Sequence, residues 1–451
     1  MNRWEAIEIF NRMRQDAIVV HGTGGMGIEV NTKSPSDLNL YAAMPYPTPL
    51  GLGLALALPK QRIVVTEGDG SALSGISGLA TVANMAPANL IHIVWDNGAW
   101  MSPGTMGTRS HYGPLPTAAG GRTDLEGFAK AAGYAHTTTV ATLKEFEAAL
   151  GAAIATNGPS YILAKIDRKL MSDLPAKPLG TVEQAIGFRR GLIERGWISS
   201  GHAGVSKGKW LPPAEQSTAI VIPEIEAESE PGPRPSMEKA RVIYSSLREA
   251  GVDFFVYLPD SANYFIQRLA AADPQVTSVS ITREDEGLAI AMGAFMGGRN
   301  PVLIIEASGL GLCTLAFSVL GHEQRMATLI LYGHNFALGE VRDVHACTRW
   351  VAEPVLNALR IPNLTLMDVN DAPSLIKQAW RPSEARCAPW RCPCRCTCCG
   401  TNECAFHRNI TKWVSLALRR GRRFRHSSME GWNPSRHGCL QARRARSVSR
   451  I

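Results

Sequence analysis

The sequence predicts an α/β protein with two doubly wound parallel-sheet domains and an irregular C-terminal tail. Short, continuous apolar runs alternate with helical stretches, which is typical of parallel strands covered by helices on both faces. The alternation is interrupted by a stretch rich in Pro and Gly, resumes, and then stops near residue 383. A chain of 451 residues is long enough for two or three domains.

The first predicted domain spans residues 1–195. Its predicted helices are Trp4–Gln15, Thr48–Leu58, Ser71–Ala86, Leu125–Ala132 and Leu143–Ala155, and its predicted strands are Ala17–His21, Arg62–Glu67, Leu90–Asp96 and Tyr161–Ile166. The strands are rich in β-branched residues and the helices show helical spacing of apolar positions. The glycines of Thr48–Leu58 suit a buried helix that packs closely on a sheet.

Residues 196–236 form a predicted linker, because Pro, Gly and like charges are concentrated there. The second predicted domain spans residues 237–382. Its predicted helices are Glu238–Ala250, Ala262–Ala272, a helix that ends at Met296, and Ala372–Trp380, and its predicted strands are Phe254–Leu258, Thr277–Thr282, Pro301–Glu306, Ala327–Tyr332 and Leu364–Val369.

Residues 383–451 differ in composition from the rest. From residue 381 onward there are 16 Lys and Arg against 3 acidic residues, and this stretch holds eight of the ten cysteines. Clustered cysteines can bind zinc and basic runs can bind phosphate, but the cysteines are too crowded for paired zinc knuckles. We interpret the tail as an unselected sequence, such as an out-of-frame translation, and expect no strand after Pro382, so that the second domain lacks its final strand.

Composition excludes several classes of protein. Without the tail, the body carries a small net negative charge, so nucleic acid is not an expected partner. Two cysteines in the body do not make a disulfide framework. The N-terminus has no continuous apolar signal segment, and the most apolar stretch, Leu50–Leu58, is too short to span a bilayer. We therefore expect a cytoplasmic protein without membrane contact.

The strongest motif lies at the ends of two predicted strands. Gly68, Asp69, Gly70 and Ser71 follow one strand, and Asn97 follows the next. Because parallel strands joined by a helix end at the same edge, the carboxylate and the carboxamide should share one crevice. Hard oxygen ligands suit Mg²⁺, which uses ligand phosphates for its other positions. The pair therefore predicts a magnesium-bridged diphosphate site, whereas Gly-Asp-Gly alone would also fit a plain strand-to-helix turn.

This motif resembles that of the thiamine diphosphate-dependent enzymes, in which Gly-Asp-Gly is followed by an Asn pair. Asp96 stands at the first Asn position, as in the members that decarboxylate sulfopyruvate and phosphonopyruvate. The resemblance implies that Asp69 and Asn97 bind the metal through their side chains and Ala99 through its carbonyl. Residues 68–71 would contact the cofactor.

The resemblance extends to the segment before Gly51. Met44 corresponds to the bulky apolar residue that supports the bent cofactor, although core packing would also explain it. Pro45 and Pro47 differ from the family's usual small residues. Gly24 and Gly25 follow the first strand, where the family contacts the diphosphate.

A second motif, Arg283–Ala289, resembles the pyrimidine-domain motif of the sulfopyruvate decarboxylase group. The position of Gly293 aligns Glu284 with the carboxyl group of the family motif, which shares a proton with the cofactor's aminopyrimidine. Glu286 is the alternative. Acidic residues at a helix start can also serve the helix dipole alone. The stretch Ala307–Gly311 resembles another motif of this group.

The resemblance also suggests substrate contacts. Asp260 and Ser261 correspond to a substrate loop. His345 lies where related enzymes carry a loop His, with His334 as an alternative, and a structural role would explain either. Arg109 is a candidate for binding a distal anion, or an exposed loop residue.

Taken with the resemblance, these motifs imply a thiamine diphosphate- and Mg²⁺-dependent decarboxylase of a 2-oxo acid, sulfopyruvate first and phosphonopyruvate second. The family's diphosphate and pyrimidine domains would be joined in one chain, which we expect to form a homodimer or homotetramer. An acetolactate synthase-like carboligase shares the motifs but usually has a third domain. A non-enzymatic protein tethered to nucleic acid by its basic tail is the other alternative.

Overall fold

The computed structural model describes residues 1–22, 29–31, 34–100, 115–168, 180–199, 236–334, 350–384 and 415–419. Within these residues, two six-stranded sheets form, and all their neighbouring strands are parallel. The predicted fold class is therefore confirmed. None of the helices in these ranges is long and apolar enough to cross a bilayer. We call residues 1–199 the first half and residues 236–419 the second half.

The sheet of the first half has the strand order β2-β1-β3-β4-β8-β7. Its strands are β1 (Ile18–His21), β2 (Asn39–Tyr41), β3 (Ile63–Gly68), β4 (Leu90–Asp96), β7 (His136–Val140) and β8 (Ser160–Lys165). A separate antiparallel pair consists of β5 (Ala99–Trp100) and β6 (Leu115–Pro116). The apolar interior strands were predicted, whereas the edge strands β2 and β7 were not, because a short or Thr-rich edge strand lacks a continuous apolar run.

The helices of the first half are α1 (Arg3–Met13), α2 (Pro47–Ala57), α3 (Asp69–Ser74), α4 (Gly78–Met85), α5 (Leu125–Ala132), α6 (Leu143–Ala155) and α7 (Thr181–Glu194). Local sequence explains several starts: Pro47 occupies the first turn of α2, and Thr142 and Glu145 form a capping box before α6. The single helix predicted over Ser71–Ala86 is wrong, because the chain breaks into α3 and α4 at Gly75.

The second half repeats the same strand order, β10-β9-β11-β12-β14-β13. Its strands are β9 (Phe254–Tyr257), β10 (Thr277–Ser280), β11 (Pro301–Glu306), β12 (Leu329–His334), β13 (Asn363–Leu366) and β14 (Ser415–Arg419). Its helices are α8 (Met237–Glu249), α9 (Tyr264–Ala272), α10 (Glu284–Met296), α11 (Ala352–Ala358) and α12 (Ala372–Glu384). A short helix, Thr314–Ala316, continues as the π-helix Phe317–Glu323.

The strand β14 corrects the expectation that no strand follows Pro382. It pairs with β12 on one side and β13 on the other, so it is an interior strand of the second sheet. Its sequence, Ser-Leu-Ala-Leu-Arg, is too short and too isolated among Arg and Cys to be recognised from pattern alone. The second sheet therefore has its sixth strand, supplied from beyond residue 383.

Three groups of buried apolar side chains hold the fold together. Each half has a cluster on the outer face of its sheet. A third cluster lies between the sheets and includes both α2 and α10. These helices touch through glycines: a Cβ on Gly53 would lie 2.0 Å from the Ile290 carbonyl oxygen, and one on Gly293 would lie 2.2 Å from that of Leu50. The two halves thus share a core at a backbone contact that only glycine permits.

Candidate active site

The carboxyl edge of the first sheet carries the predicted polar residues. Asp69 is the first residue of α3, directly after β3, and Asn97 follows the neighbouring strand β4. The two strands pair in register up to Gly68 and Trp95. Parallel strands joined by helices therefore bring both side chains to one edge, as the sequence predicted.

Asp69 is buried, with only 3% of its surface exposed. The hydroxyl of Thr117, on the segment that follows β6, donates a hydrogen bond to Asp69 Oδ2. Burial raises the pKa of Asp69, the Thr117 hydrogen bond opposes this shift, and the nearby Asp96 carboxylate adds to it. A buried carboxyl of this kind is stabilised in its ionised form by a cation.

The turn after β4 is organised by its own side chains. Asp96 Oδ1 accepts a hydrogen bond of 3.0 Å from the Gly98 amide, and Asp96 Oδ2 pairs with Lys165. Asn97 Oδ1 accepts one of 2.8 Å from the Ala99 amide. Gly98 has a φ of +64°, a conformation that favours glycine. The side chain of Asp96 is therefore engaged by the turn and by Lys165, whereas that of Asn97 bonds within the turn.

The donor chemistry at this edge fits Mg²⁺ and a diphosphate. Asp69, Asn97 and Ala99 offer a carboxylate, a carboxamide oxygen and a carbonyl, all hard oxygen ligands. The backbone at Gly70 packs tightly against Trp100, because a Cβ on Gly70 would lie 2.4 Å from the Trp100 ring. Ser71 is buried on the first turn of α3. These residues could hold a metal-bridged anion.

Met44, predicted to support the cofactor, is half-buried, and its bond to Pro45 is cis. Tyr46 is buried, and its pKa is raised by burial and by Asp285 of the second half. The segment before α2 thus lies against the acidic motif of the second half. The predicted residues Gly24, Gly25, Arg109 and His345 lie outside the described residues.

Glu284 is the first residue of α10 and is buried, with 9% of its surface exposed. It packs on the turn after β11, where a Cβ on Gly309 would lie 2.2 Å from Glu284 Cγ. Burial raises its pKa, and the carboxylates of Asp285 and Glu306 raise it further. The carboxyl group therefore keeps a proton to higher pH than usual, which suits proton sharing with a ring nitrogen.

Glu286 lies in a different environment, because residues two apart on a helix point about 200° apart. Glu286 Oε2 accepts a hydrogen bond of 2.7 Å from Thr282 Oγ1, and Thr81 of the first half faces the same carboxyl. Burial also raises the pKa of Glu286. It contributes to a small pocket between the halves that Tyr46 and Arg283 also line. Glu284 is not among the residues that line this pocket.

Asp260 organises its own loop. Its carboxylate accepts hydrogen bonds of 2.7–2.9 Å from the amides of Ala262 and Asn263 and from the side chains of Asn263 and Gln267. Burial raises its pKa despite these donors. Ser261 is exposed beside it. The structure places this loop at the carboxyl edge of the second sheet, where Glu306 influences both Asp260 and Glu284.

Sequence reasoning missed several polar residues at this site. Two of these residues, Thr117 and Lys165, are distant from the motif in sequence. The third, Glu67, is the last residue of a predicted strand. Lys165 lies within the predicted strand Tyr161–Ile166, and Thr117 follows no recognised motif. A signal was present only for Glu67: a carboxylate at the end of an apolar strand calls for a buried polar partner.

Comparison with known proteins finds relatives for part of the chain. A family profile described as "Thiamine pyrophosphate enzyme, C-terminal TPP binding domain" matches residues 23–164, which include all the predicted first-half site residues. Thiamine pyrophosphate is another name for thiamine diphosphate. Over these residues the chain is similar to the thiamine diphosphate-dependent enzymes.

Similar proteins include ones named as the alpha and beta subunits of sulfopyruvate decarboxylase. The chain is 26% identical to "Sulfopyruvate decarboxylase subunit alpha" of Methanothermobacter thermautotrophicus over 126 residues, 28% of this chain and 76% of that protein. It is 33% identical to "Sulfopyruvate decarboxylase subunit beta" of Methanocaldococcus jannaschii over 106 residues, 24% of this chain and 51% of that protein.

A third relative has a different name. The chain is 38% identical to "Phosphonopyruvate decarboxylase" of Streptomyces hygroscopicus over 180 residues, 40% of this chain and 42% of that protein. The chain thus matches less than half the length of this relative.

Proposed function

We propose that this thiamine diphosphate-dependent enzyme decarboxylates a 2-oxo acid without oxidation, and that sulfopyruvate is the substrate, with sulfoacetaldehyde and CO₂ as products. The observation that carries the proposal is the division of polar residues between the halves. One sheet edge offers oxygen ligands for a metal-bridged diphosphate, and the other offers Glu284, a buried carboxyl of raised pKa.

In this proposal, Asp69, Asn97 and Ala99 would hold Mg²⁺ beside the diphosphate of the cofactor. Gly24, Gly25 and residues 68–71 would contact the same group, and Met44 would support the cofactor. When bound, thiamine diphosphate supplies the carbon nucleophile and the electron sink for loss of CO₂. The raised pKa of Glu284 favours the sharing of a proton with the pyrimidine nitrogen, while burial of its site excludes water.

The choice of sulfopyruvate rests on similarity to proteins named as its alpha and beta decarboxylase subunits. One chain that resembles both is consistent with the two subunits joined by the linker. Phosphonopyruvate is the alternative, since the relative of that name is more identical but matches over less than half its length. Asp260, Ser261, Arg109 and His345 remain the proposed substrate contacts.

A panel of 2-oxo acids tests the substrate. Sulfopyruvate, phosphonopyruvate and pyruvate would each be assayed for aldehyde and CO₂ release, with thiamine diphosphate and with Mg²⁺ or EDTA. We expect sulfopyruvate to be turned over fastest, and EDTA to abolish turnover. Formation of acetolactate from pyruvate, with little free aldehyde, would instead identify a carboligase.

The metal role of Asp69 is tested by calorimetry. Asp69→Ala should remove the Mg²⁺-dependent part of thiamine diphosphate binding, because it removes the only carboxylate of the proposed ligand set. Equal affinity of the parent protein with and without Mg²⁺ would show that the metal does not bridge the diphosphate.

We also propose that the active protein is a homodimer or homotetramer, in which each site lies between a diphosphate half and a pyrimidine half. Sedimentation velocity would give the oligomeric state. Activity per chain that falls on dilution together with dissociation would support a shared site, whereas a fully active monomer would contradict it.

A further inference from the structure

A buried polar cluster lies directly beneath the proposed diphosphate site. Its centre is Glu67, which is 1% exposed on β3, two residues before Asp69. Glu67 Oε1 accepts a hydrogen bond of 2.5 Å from Thr48 Oγ1 and lies 2.9 Å from His92 Nε2. Glu67 Oε2 accepts one of 2.5 Å from Ser71 Oγ. A carboxylate this deeply buried is stable only when such donors surround it.

The direction of these hydrogen bonds follows from the chemistry of the groups. The hydroxyls of Thr48 and Ser71 donate to the carboxylate oxygens of Glu67. His92 Nε2 lies 2.9 Å from Glu67 Oε1 and 3.1 Å from Thr48 Oγ1, and His92 Nδ1 faces the Tyr134 hydroxyl at 3.3 Å. The contacts of the cluster thus converge on the Glu67 carboxylate, and its two oxygens contact different parts of the chain. Oε1 contacts Thr48 and His92, and Oε2 contacts Ser71.

The two hydroxyls belong to the two segments that frame the proposed cofactor site. Thr48 lies in the first turn of α2, immediately after the segment that contains Met44. Ser71 lies in the first turn of α3, which begins with Asp69. Sheet hydrogen bonds join the strands beneath these segments, but the segments themselves start new helices. Glu67 is a direct side-chain link from α2 and α3 to the sheet.

We propose that Glu67 is a positioning residue for the cofactor site: through Thr48 and Ser71 it fixes the α2 start and the Asp69 turn relative to each other, and His92 supports it from β4. The inference rests on the proposed function only in taking thiamine diphosphate as the ligand at this edge. Glu67 itself does not touch the cofactor in this proposal.

The test compares two buried threonines by calorimetry. Thr48→Val removes one donor to Glu67. Thr66→Val is the matched control, because Thr66 is also buried and its hydroxyl accepts a hydrogen bond from Trp95 Nε1 rather than donating to the Glu67 carboxylate. We expect Thr48→Val to raise the Kd for thiamine diphosphate with Mg²⁺ about tenfold, or ~1.4 kcal/mol. Thr66→Val should lower Tm but leave Kd unchanged, and Thr48→Ser should restore Kd.

Glu67→Gln completes a double-mutant cycle. If Thr48 acts through Glu67, the combined variant should bind no more weakly than Glu67→Gln alone, because the second change removes a link already weakened. Turnover at saturating cofactor should fall by less than about threefold, since positioning affects binding more than chemistry.

The outcomes separate two kinds of failure. A parent protein that binds no thiamine diphosphate would overturn the proposed function and this inference together. A parent protein that binds the cofactor, with Thr48→Val and Glu67→Gln binding it as tightly, would overturn the positioning role alone. Equal effects of Thr48→Val and Thr66→Val on Kd would do the same, because they would reflect general destabilisation.

Discussion

The two halves share one strand order but carry different residues beyond the ends of their strands. In the first half, Asp69 and Asn97 come after the adjacent interior strands β3 and β4 and meet at one edge. In the second, the proposed proton-sharing carboxyl is at the start of α10, after the edge strand β10. This residue, Glu284, is buried against the turn after β11. The same topology thus provides an equivalent sheet edge in each half. The residues at that edge determine whether it suits a metal-bound anion or a proton-sharing carboxyl group.

The halves also differ in how they obtain the sixth strand. In the first half, residues 156–159 separate α6 from β8. In the second, residues 385–414 separate α12 from β14, which fills the equivalent interior position. The equivalent interior position is therefore reached after 30 residues in the second half and after four in the first.

Removal of residues 383–451 should have the largest effect. It deletes β14, which pairs on both sides, and so exposes unpaired backbone on β12 and β13. We expect an insoluble or unfolded second half, measured by soluble yield and circular dichroism. The control ends the chain after Arg420 and keeps β14; it should remain folded. If both truncations melt alike, β14 does not stabilise the sheet.

Replacement of the buried carboxyls tests which of the two glutamates, Glu284 or Glu286, serves catalysis. Glu284→Gln should lower kcat at least 100-fold, about 2.7 kcal/mol, because an amide cannot share a proton with the ring. Cofactor affinity by calorimetry should be nearly unchanged. Glu286→Gln is the control on the other face of the helix and should have a milder effect. The reverse order of effects would assign the role to Glu286.

The contact between the halves should be sensitive to a single methyl group. Gly293→Ala would place a Cβ 2.2 Å from the Leu50 carbonyl oxygen, so α2 and α10 must separate. We expect a loss of about 2–3 kcal/mol in the free energy of unfolding. Gly187→Ala on α7 is the control, because its Cβ meets nothing within 4 Å, and it should be neutral or stabilising. Equal denaturation midpoints for the two variants would contradict the close helix contact.

The smallest expected effect concerns Asp69 in the cofactor-free protein. Burial and Asp96 raise its pKa, so the ionised form destabilises the fold at pH values above that pKa. Asp69→Asn should therefore raise the Tm of the apo-protein by about 2 °C at neutral pH. The difference should disappear on acidification, as Asp69 takes up a proton above its ordinary pKa of 3.8. A lower Tm for the variant at pH 7 would contradict this.

The sequence alone predicted the fold class, the interior strands of the first sheet and both motifs, because apolar runs and glycines at strand ends are local signals. It missed the edge strands β2 and β7, whose polar or short sequences resemble loops. It also missed β14, since a five-residue strand gains its stability from partners distant in sequence. The break between α3 and α4 was likewise hidden within one helical pattern.

At the proposed site, residue type and spacing in the sequence indicate Asp69 and Asn97 as possible metal ligands, and resemblance to a family motif indicates Glu284 as the proton-sharing carboxyl. The surroundings of these residues depend on the tertiary structure. Lys165 engages Asp96, Thr117 donates to Asp69, and Glu67 accepts a hydrogen bond from Thr48, 19 residues earlier in the sequence. The reason is physical: residue type sets which protonation and ligand chemistry is available, whereas burial and neighbouring charge, which set pKa and position, arise when strands and helices pack.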